Sequence, residues 1–91
     1  MTFNLGQIVL TRGVNDLIAD STQAAKDYLA AMARHRGGDW GDLDAEDKAA
    51  NDFAIGKYLR IFSAYKLDGR KVWIITEADR SVTTTLFPEE Y

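Results

Sequence analysis

The sequence predicts one α+β domain over residues 1–91, an antiparallel β-meander of three to four strands with two to three helices packed on one face. Three observations carry this expectation. Residues up to about Lys57 are rich in Ala, Asp and Lys, and those after it in Ile, Val, Thr, Tyr and Trp, so helix gives way to sheet. Apolar residues recur at helical spacing in the first half and alternate with period two around an Asp-Gly pair in the second. No repeat, low-complexity tract or linker separates the halves, and the single proline is Pro88, so they share one core.

The elements follow in order. Gln7–Thr11 is a short apolar run between Gly6 and Gly13 and reads as a strand pairing at a sheet edge. Val14, Leu17 and Ile18 repeat at helical spacing up to Asp20. Ser21 and Thr22 then offer N-caps to a second helix whose apolar stripe is Ala25, Tyr28, Leu29 and Met32. That helix ends with Arg34, His35 and Arg36, where positive charge suits the helix dipole, and stops at Gly37-Gly38. Gly38–Leu43 is a glycine-rich loop whose Trp40 and Leu43 fold back on the core. Asp44 caps a third helix, with Glu46 and Asp47 in its first turn, Phe53 as its anchor and Gly56 at its frayed end. From Tyr58 the period is two, and Leu67-Asp68-Gly69-Arg70 predicts a hairpin turn. A second turn at Ala78–Ser81 leads to a β-branched strand over Val82–Phe87.

Composition narrows the function classes. Eleven Lys and Arg against fourteen Asp and Glu give a net charge of −3, which places nucleic acid low among the candidate partners. The absence of cysteine excludes disulfides, thiolate zinc sites and cysteine nucleophiles, and a single histidine excludes a His-based metal cluster. The N-terminal residues lack the basic start and long apolar core of a secretion signal, and no stretch reaches the ~20 apolar residues of a membrane span. The expectation is a cytoplasmic protein with no membrane partner.

Three stretches carry a resemblance: His35–Asn51 (HRGGDWGDLDAEDKAAN), Phe62–Tyr65 (FSAY) and Val72–Tyr91 (VWIITEADRSVTTTLFPEEY). Together they resemble an uncharacterised family of short bacterial proteins found on plasmids, phages and integrated elements, some of them labelled restriction-associated. The match is most specific in the ITEADRSVTT run. Relatives often carry proline before the first helix and before the Asp-Gly of the meander, where this chain has Arg12-Gly13 and Leu67. The resemblance implies a mobile-element setting and no particular activity.

Several residues invite a chemical reading, each beside a structural one. His35 is the one imidazole and the obvious general base; alternatively it ends its helix packed beside Trp40 and bonded to a carbonyl. Ser63 or Ser81 could join it in a triad, but neither sits in a nucleophile elbow. Asp39, Asp42, Asp44, Glu46 and Asp47 could hold a hard cation, yet they lack the calcium-loop spacing, and cap, first-turn and loop roles account for them. In the run Glu77, Asp79, Arg80, Ser81, the arginine could grip a phosphate or carboxylate while the acids serve as acid and base. The structural alternative has Asp79 capping the turn and Arg80 pairing with Glu77 across the sheet.

Trp73 and Tyr65 lie on neighbouring strands, with Trp40 and Tyr58 within reach, and could form an aromatic patch. Val72 and Ile74 alternate with Trp73 and Ile75, so both sheet faces carry large apolar groups, and one helical layer covers only one of them. The leading expectation is therefore a non-enzymatic interaction protein that uses no cofactor or metal and binds another protein, or itself as a homodimer. Its binding residues are expected among Trp73, Tyr65, Glu77, Asp79, Arg80, His35 and Trp40. A small ligand-binding domain or enzyme built on Glu77, Asp79 and Arg80 is the alternative, and a weak nucleic-acid binder comes third.

Overall fold

The computed structural model describes residues 3–91; Met1 and Thr2, which the single-domain expectation includes, lie outside the described residues. The order is β1 (Gln7–Leu10), α1 (Arg12–Asp20), α2 (Thr22–Arg36), α3 (Ala45–Ile55), β2 (Ile61–Leu67), β3 (Arg70–Thr76) and β4 (Val82–Leu86), then a 3₁₀ turn over Pro88–Glu90. The sheet order is β1-β4-β3-β2. Strands β2, β3 and β4 form the antiparallel meander. β1 closes the far edge parallel to β4, with Ile8 opposite Thr83 and Leu10 opposite Thr85. This is the α+β arrangement expected, with the helices on one side of the sheet.

Local signals act where they were read. Asp68 and Gly69 both take positive φ, 49° and 79°, the two-residue turn whose twist matches a hairpin. The Asp44 carboxylate accepts from Asp47 N–H at 2.8 Å, and the Ser21 hydroxyl oxygen accepts from Ala24 N–H at 3.0 Å, each capping a helix. Helix α1 begins earlier than its apolar pattern, at Arg12. Its N-cap Thr11 makes no capping bond of its own. The Glu90 carboxylate serves instead, accepting from Gly13 N–H at 3.3 Å and Thr11 Oγ1–H at 2.6 Å. The C-terminal segment is therefore a cap for α1, and it puts a carboxylate at the positive helix end.

The buried face of two helices departs from expectation. In α2 the fully packed positions are Ala24, Ala31 and His35, with Tyr28 and Met32 beside them, and Leu29 is 69% exposed. Alanine at two successive contact points lets the helix lie close over the sheet, which turns the larger Leu29 outward. In α3 the expected anchor Phe53 is 62% exposed, and Asn51 with Ala54 faces inward. The reason is that α3 docks against the backbone edge of β2. The Asn51 amide donates to Phe62 C=O, and its Oδ1 accepts from Phe62 N–H at 3.1 Å, imitating a neighbouring strand. The loop before α3 continues this cover: Asp42 N–H donates to Ala64 C=O at 2.8 Å and Ala64 N–H to Trp40 C=O at 3.3 Å. Gly41, at φ 71°, is required here because a Cβ would meet the Ala64 carbonyl oxygen at 2.0 Å. The edge of β2 is thus covered at Phe62 and Ala64, which shortens the template it offers.

Strand β2 also starts later than its alternation suggests. Tyr58 takes a left-handed φ of 51° and stays exposed, so the chain turns before entering the sheet at Ile61. The core has two parts. The larger lies under α1 and α2 and contains Val14, Ala24, Ala31, Tyr65, Leu67, Val72, Ile74 and Phe87; the smaller lies under α3 and holds Trp40, Ala54 and Ile61.

Candidate functional site

The side chains singled out from sequence divide into three environments. His35, Trp40 and Tyr65 are inside, on the helical side of the sheet. His35 is fully buried, and its ring meets Trp40 edge-on at 5.8 Å between centroids. Its partners are hydroxyls and not the expected carbonyl: Nδ1 bonds Ser63 Oγ, and Nε2 bonds Thr76 Oγ1 at 2.9 Å. Thr76 Oγ1 in turn lies 2.7 Å from Thr83 Oγ1, and Thr83 donates to Leu5 C=O at 2.7 Å.

That last carbonyl orients the whole chain of bonds. It can only accept, so Thr83 spends its proton there and accepts from Thr76, which accepts from Nε2–H. Nδ1 is then the acceptor and Ser63 the donor. Burial pushes the imidazole pKa down to about 4, consistent with a neutral ring in this place. Ser63 and His35 therefore touch as a serine–histidine pair would, but both are sealed from solvent.

Tyr65 faces the same interior, its hydroxyl donating to Asp39 C=O, and burial pushes its pKa up to about 12. Trp40 is anchored by its indole N–H, which donates to Asp52 at 2.8 Å. Among the acids of the loop, Asp39 is held by Arg34 at 2.9 Å and by Gly41 N–H at 3.1 Å, and this Arg34 bond keeps its carboxyl below the ordinary range.

The Glu77–Ser81 run separates rather than converges. Arg80, at a left-handed φ of 62°, is buried and surrounded by main-chain oxygens. It donates to Leu59 C=O at 2.7 Å, Ala54 C=O at 2.9 Å, and Glu77 and Ala78 C=O at 3.1 Å. Ala54 sits in the last turn of α3, so the guanidinium completes the helix C-terminus and complements its dipole. Glu77 pairs with Arg60 at 3.2 Å, and the expected Arg80–Glu77 pair does not form. Asp79 accepts from Ser81 N–H at 3.0 Å as the turn cap, and the bond from the Ser81 side chain lowers its pKa. Asp79 and Arg80 do share the wall of an open cleft of about 610 Å³ with Phe3, Arg36, Ile55 and Tyr58. Glu77 and His35 do not line it.

The third environment is the sheet face turned away from the helices. Trp73 pairs with Ala64 and Leu86, and Phe62 with Ile75, so alternation sets Phe62, Trp73 and Ile75 on this outer side. Tyr65 is opposite Val72 and belongs to the inner side, so it does not join Trp73. Phe62 and Tyr91 do: their rings meet Trp73 edge-on at 5.0 and 5.9 Å. Arg60, Phe62, Trp73, Ile75 and Tyr91 line an apolar depression of about 250 Å³. The Arg60 guanidinium forms its rim, donating to Glu77 and to the Tyr91 hydroxyl at 2.6 Å. Phe62 could have been found from sequence by carrying the two-residue alternation across the hairpin; Tyr91 could not, since it arrives from beyond the 3₁₀ turn. Comparison with family models, with curated proteins and with solved structures gives no match for this chain.

Proposed function

We propose that the chain is a non-enzymatic protein-interaction module, an accessory protein of the mobile-element kind its motifs resemble, acting on a defence or maintenance factor. Its docking surface is the outer sheet face. One observation carries the reading: an apolar depression on that face, walled by Phe62, Trp73 and Tyr91 with Ile75 beside them, opposite the face the helices cover. Aromatic side chains around a preformed apolar hollow supply much contact area at small entropic cost, as interface anchors do. The Glu77, Asp79 and Arg80 alternative gains less support, because the arginine is engaged by carbonyls and Glu77 by Arg60.

The test is affinity capture from bacterial extract with the wild-type chain, Trp73→Ala and a control, Leu29→Ala, which removes an apolar side chain more exposed than the half-buried Trp73, from the helical side. A specific protein retained by wild type and control and lost with Trp73→Ala is the expected result. Identical captures with all three chains would overturn the reading.

A further inference from the structure

The outer face carries a charge pattern that an apolar hollow does not require. Lys66 and Lys71 stand directly opposite each other in the β2–β3 register, and both are exposed. Alternation places Lys71 two residues from Trp73 and Lys66 on the same side as Phe62 and Ala64. Like charges directly opposite in a sheet are destabilising. Among the described residues neither lysine forms an ion pair. The nearest acids in sequence point elsewhere: Asp68 accepts from Ser21 Oγ–H at the start of α2, and Glu77 is taken by Arg60. Glu89, in the 3₁₀ turn that packs against β3, is paired with Arg70 at 3.9 Å, so this end of the outer face presents two lysines with no acid paired to either among the described residues.

We propose that the partner docking on this face is an acidic extended segment. Its carboxylate lies between Lys66 and Lys71, and a large apolar side chain two residues along enters the depression beside Trp73. The proposal rests on the docking role argued above and gives its partner a chemistry. Lys71 and Trp73 share the period of an extended peptide, ~7 Å for two residues, so one strand can reach both. A carboxylate there turns one repulsion into two attractions. Nucleic acid is the poorer match, since β4 and β1 continue this face with Val82, Thr84, Leu86 and Val9 and provide no track of cations for successive phosphates. The outer face of a second copy brings the same lysines and no free acid.

The experiment is panning of a random-peptide display library on the whole chain, followed by affinity measurement with the synthetic consensus peptide. Recovered sequences should place Asp or Glu two residues from one large apolar residue. The affinity should fall about tenfold with Lys71→Glu, and fall again as salt is raised. Lys71→Glu replaces a like pair by an opposite one, so a melting temperature at or above that of wild type confirms that the loss is not unfolding. Peptides without acids whose binding still needs Trp73 would overturn the acidic partner and leave the docking surface standing. Peptides indifferent to Trp73→Ala, or no enrichment at all, would overturn both. Lysine-dependent binding of oligothymidylate that exceeds peptide binding, or a Lys71-dependent dimer by light scattering, would overturn it in favour of nucleic acid or self-association.

Discussion

His35 joins four parts of the chain through its two ring nitrogens: α2, Ser63 on β2, Thr76 on β3 and, through Thr83, the carbonyl of Leu5. Neighbourhood to Trp40 could be read from five residues of sequence. The hydroxyl partners could not, because they lie 28 and 41 residues away and depend on strand register. The folded imidazole titrates near 4 and the unfolded one near 6.5, so the unfolded chain binds more protons between those values. The stability is complete above about pH 6.5 and is lost as pH falls toward 4, with a loss of about 2 kcal/mol by pH 5. Chemical denaturation at pH 7 and pH 5 checks the magnitude. The chain has one histidine, so a single imidazole signal in NMR checks the cause. The signal should stay constant from pH 8 to about 5.5 and show the Nε2–H tautomer. Titration at an ordinary pKa, or an Nδ1–H tautomer, would contradict the buried relay.

Between elements, the legible features are those set by a few adjacent residues: the Asp68-Gly69 turn, the Ser21 and Asp44 caps and the stop at Gly37. The illegible ones concern which face docks where. Helix α3 shows why. A pattern search rewards Phe53, whereas the helix meets a strand edge whose unpaired amide and carbonyl need Asn51. Arg80 was similarly legible as a distinctive cation and not as the closing piece of α3, because its acceptors Ala54 and Leu59 are more than twenty residues away. This role makes a definite prediction. Arg80→Lys retains the charge but not the planar fork that reaches several carbonyls together, and should destabilise the fold by about 2 kcal/mol in urea unfolding. Arg80→Ala, which removes all of these charge-assisted bonds and the buried side chain itself, should cost about 3 kcal/mol, although Ala54 and Glu77 C=O keep main-chain donors. Loss of amide protection confined to the last turn of α3 and residues 57–60 should accompany both. Unchanged midpoints would show that water replaces the guanidinium without penalty.

At the scale of the molecule, the same sheet supports two cores of unequal strength. Under α1 and α2, eight buried residues form one cluster, with Leu10, Leu17, Ile18, Tyr28 and Met32 packed against it. Under α3 the buried apolar cluster among the described residues is Trp40, Ala54 and Ile61, assisted by Phe3, Leu43 and Ile55. The layered plan was legible because it follows from the shift of period at Lys57. The inequality was not, since it depends on α3 presenting Asn51 and Ala54 inward while Phe53 faces solvent. Local opening free energy follows buried apolar contact, so α3 should open as a unit before the rest of the domain. Native-state hydrogen exchange at low denaturant measures this directly. Amides from Lys48 to Ile55 should exchange with a smaller free energy and a weaker denaturant dependence than those of Val72 to Ile75, which open only in global unfolding. Brief trypsin treatment should cut first after Lys57, an exposed residue at the end of this helix. Equal free energies and slopes for α3 and β3 would mean that the Asn51 pairing, the Trp40 indole bond and the Arg80 cap together bind α3 as tightly as the apolar cluster binds α2. The smaller core would then owe its stability to polar closure of the sheet edge.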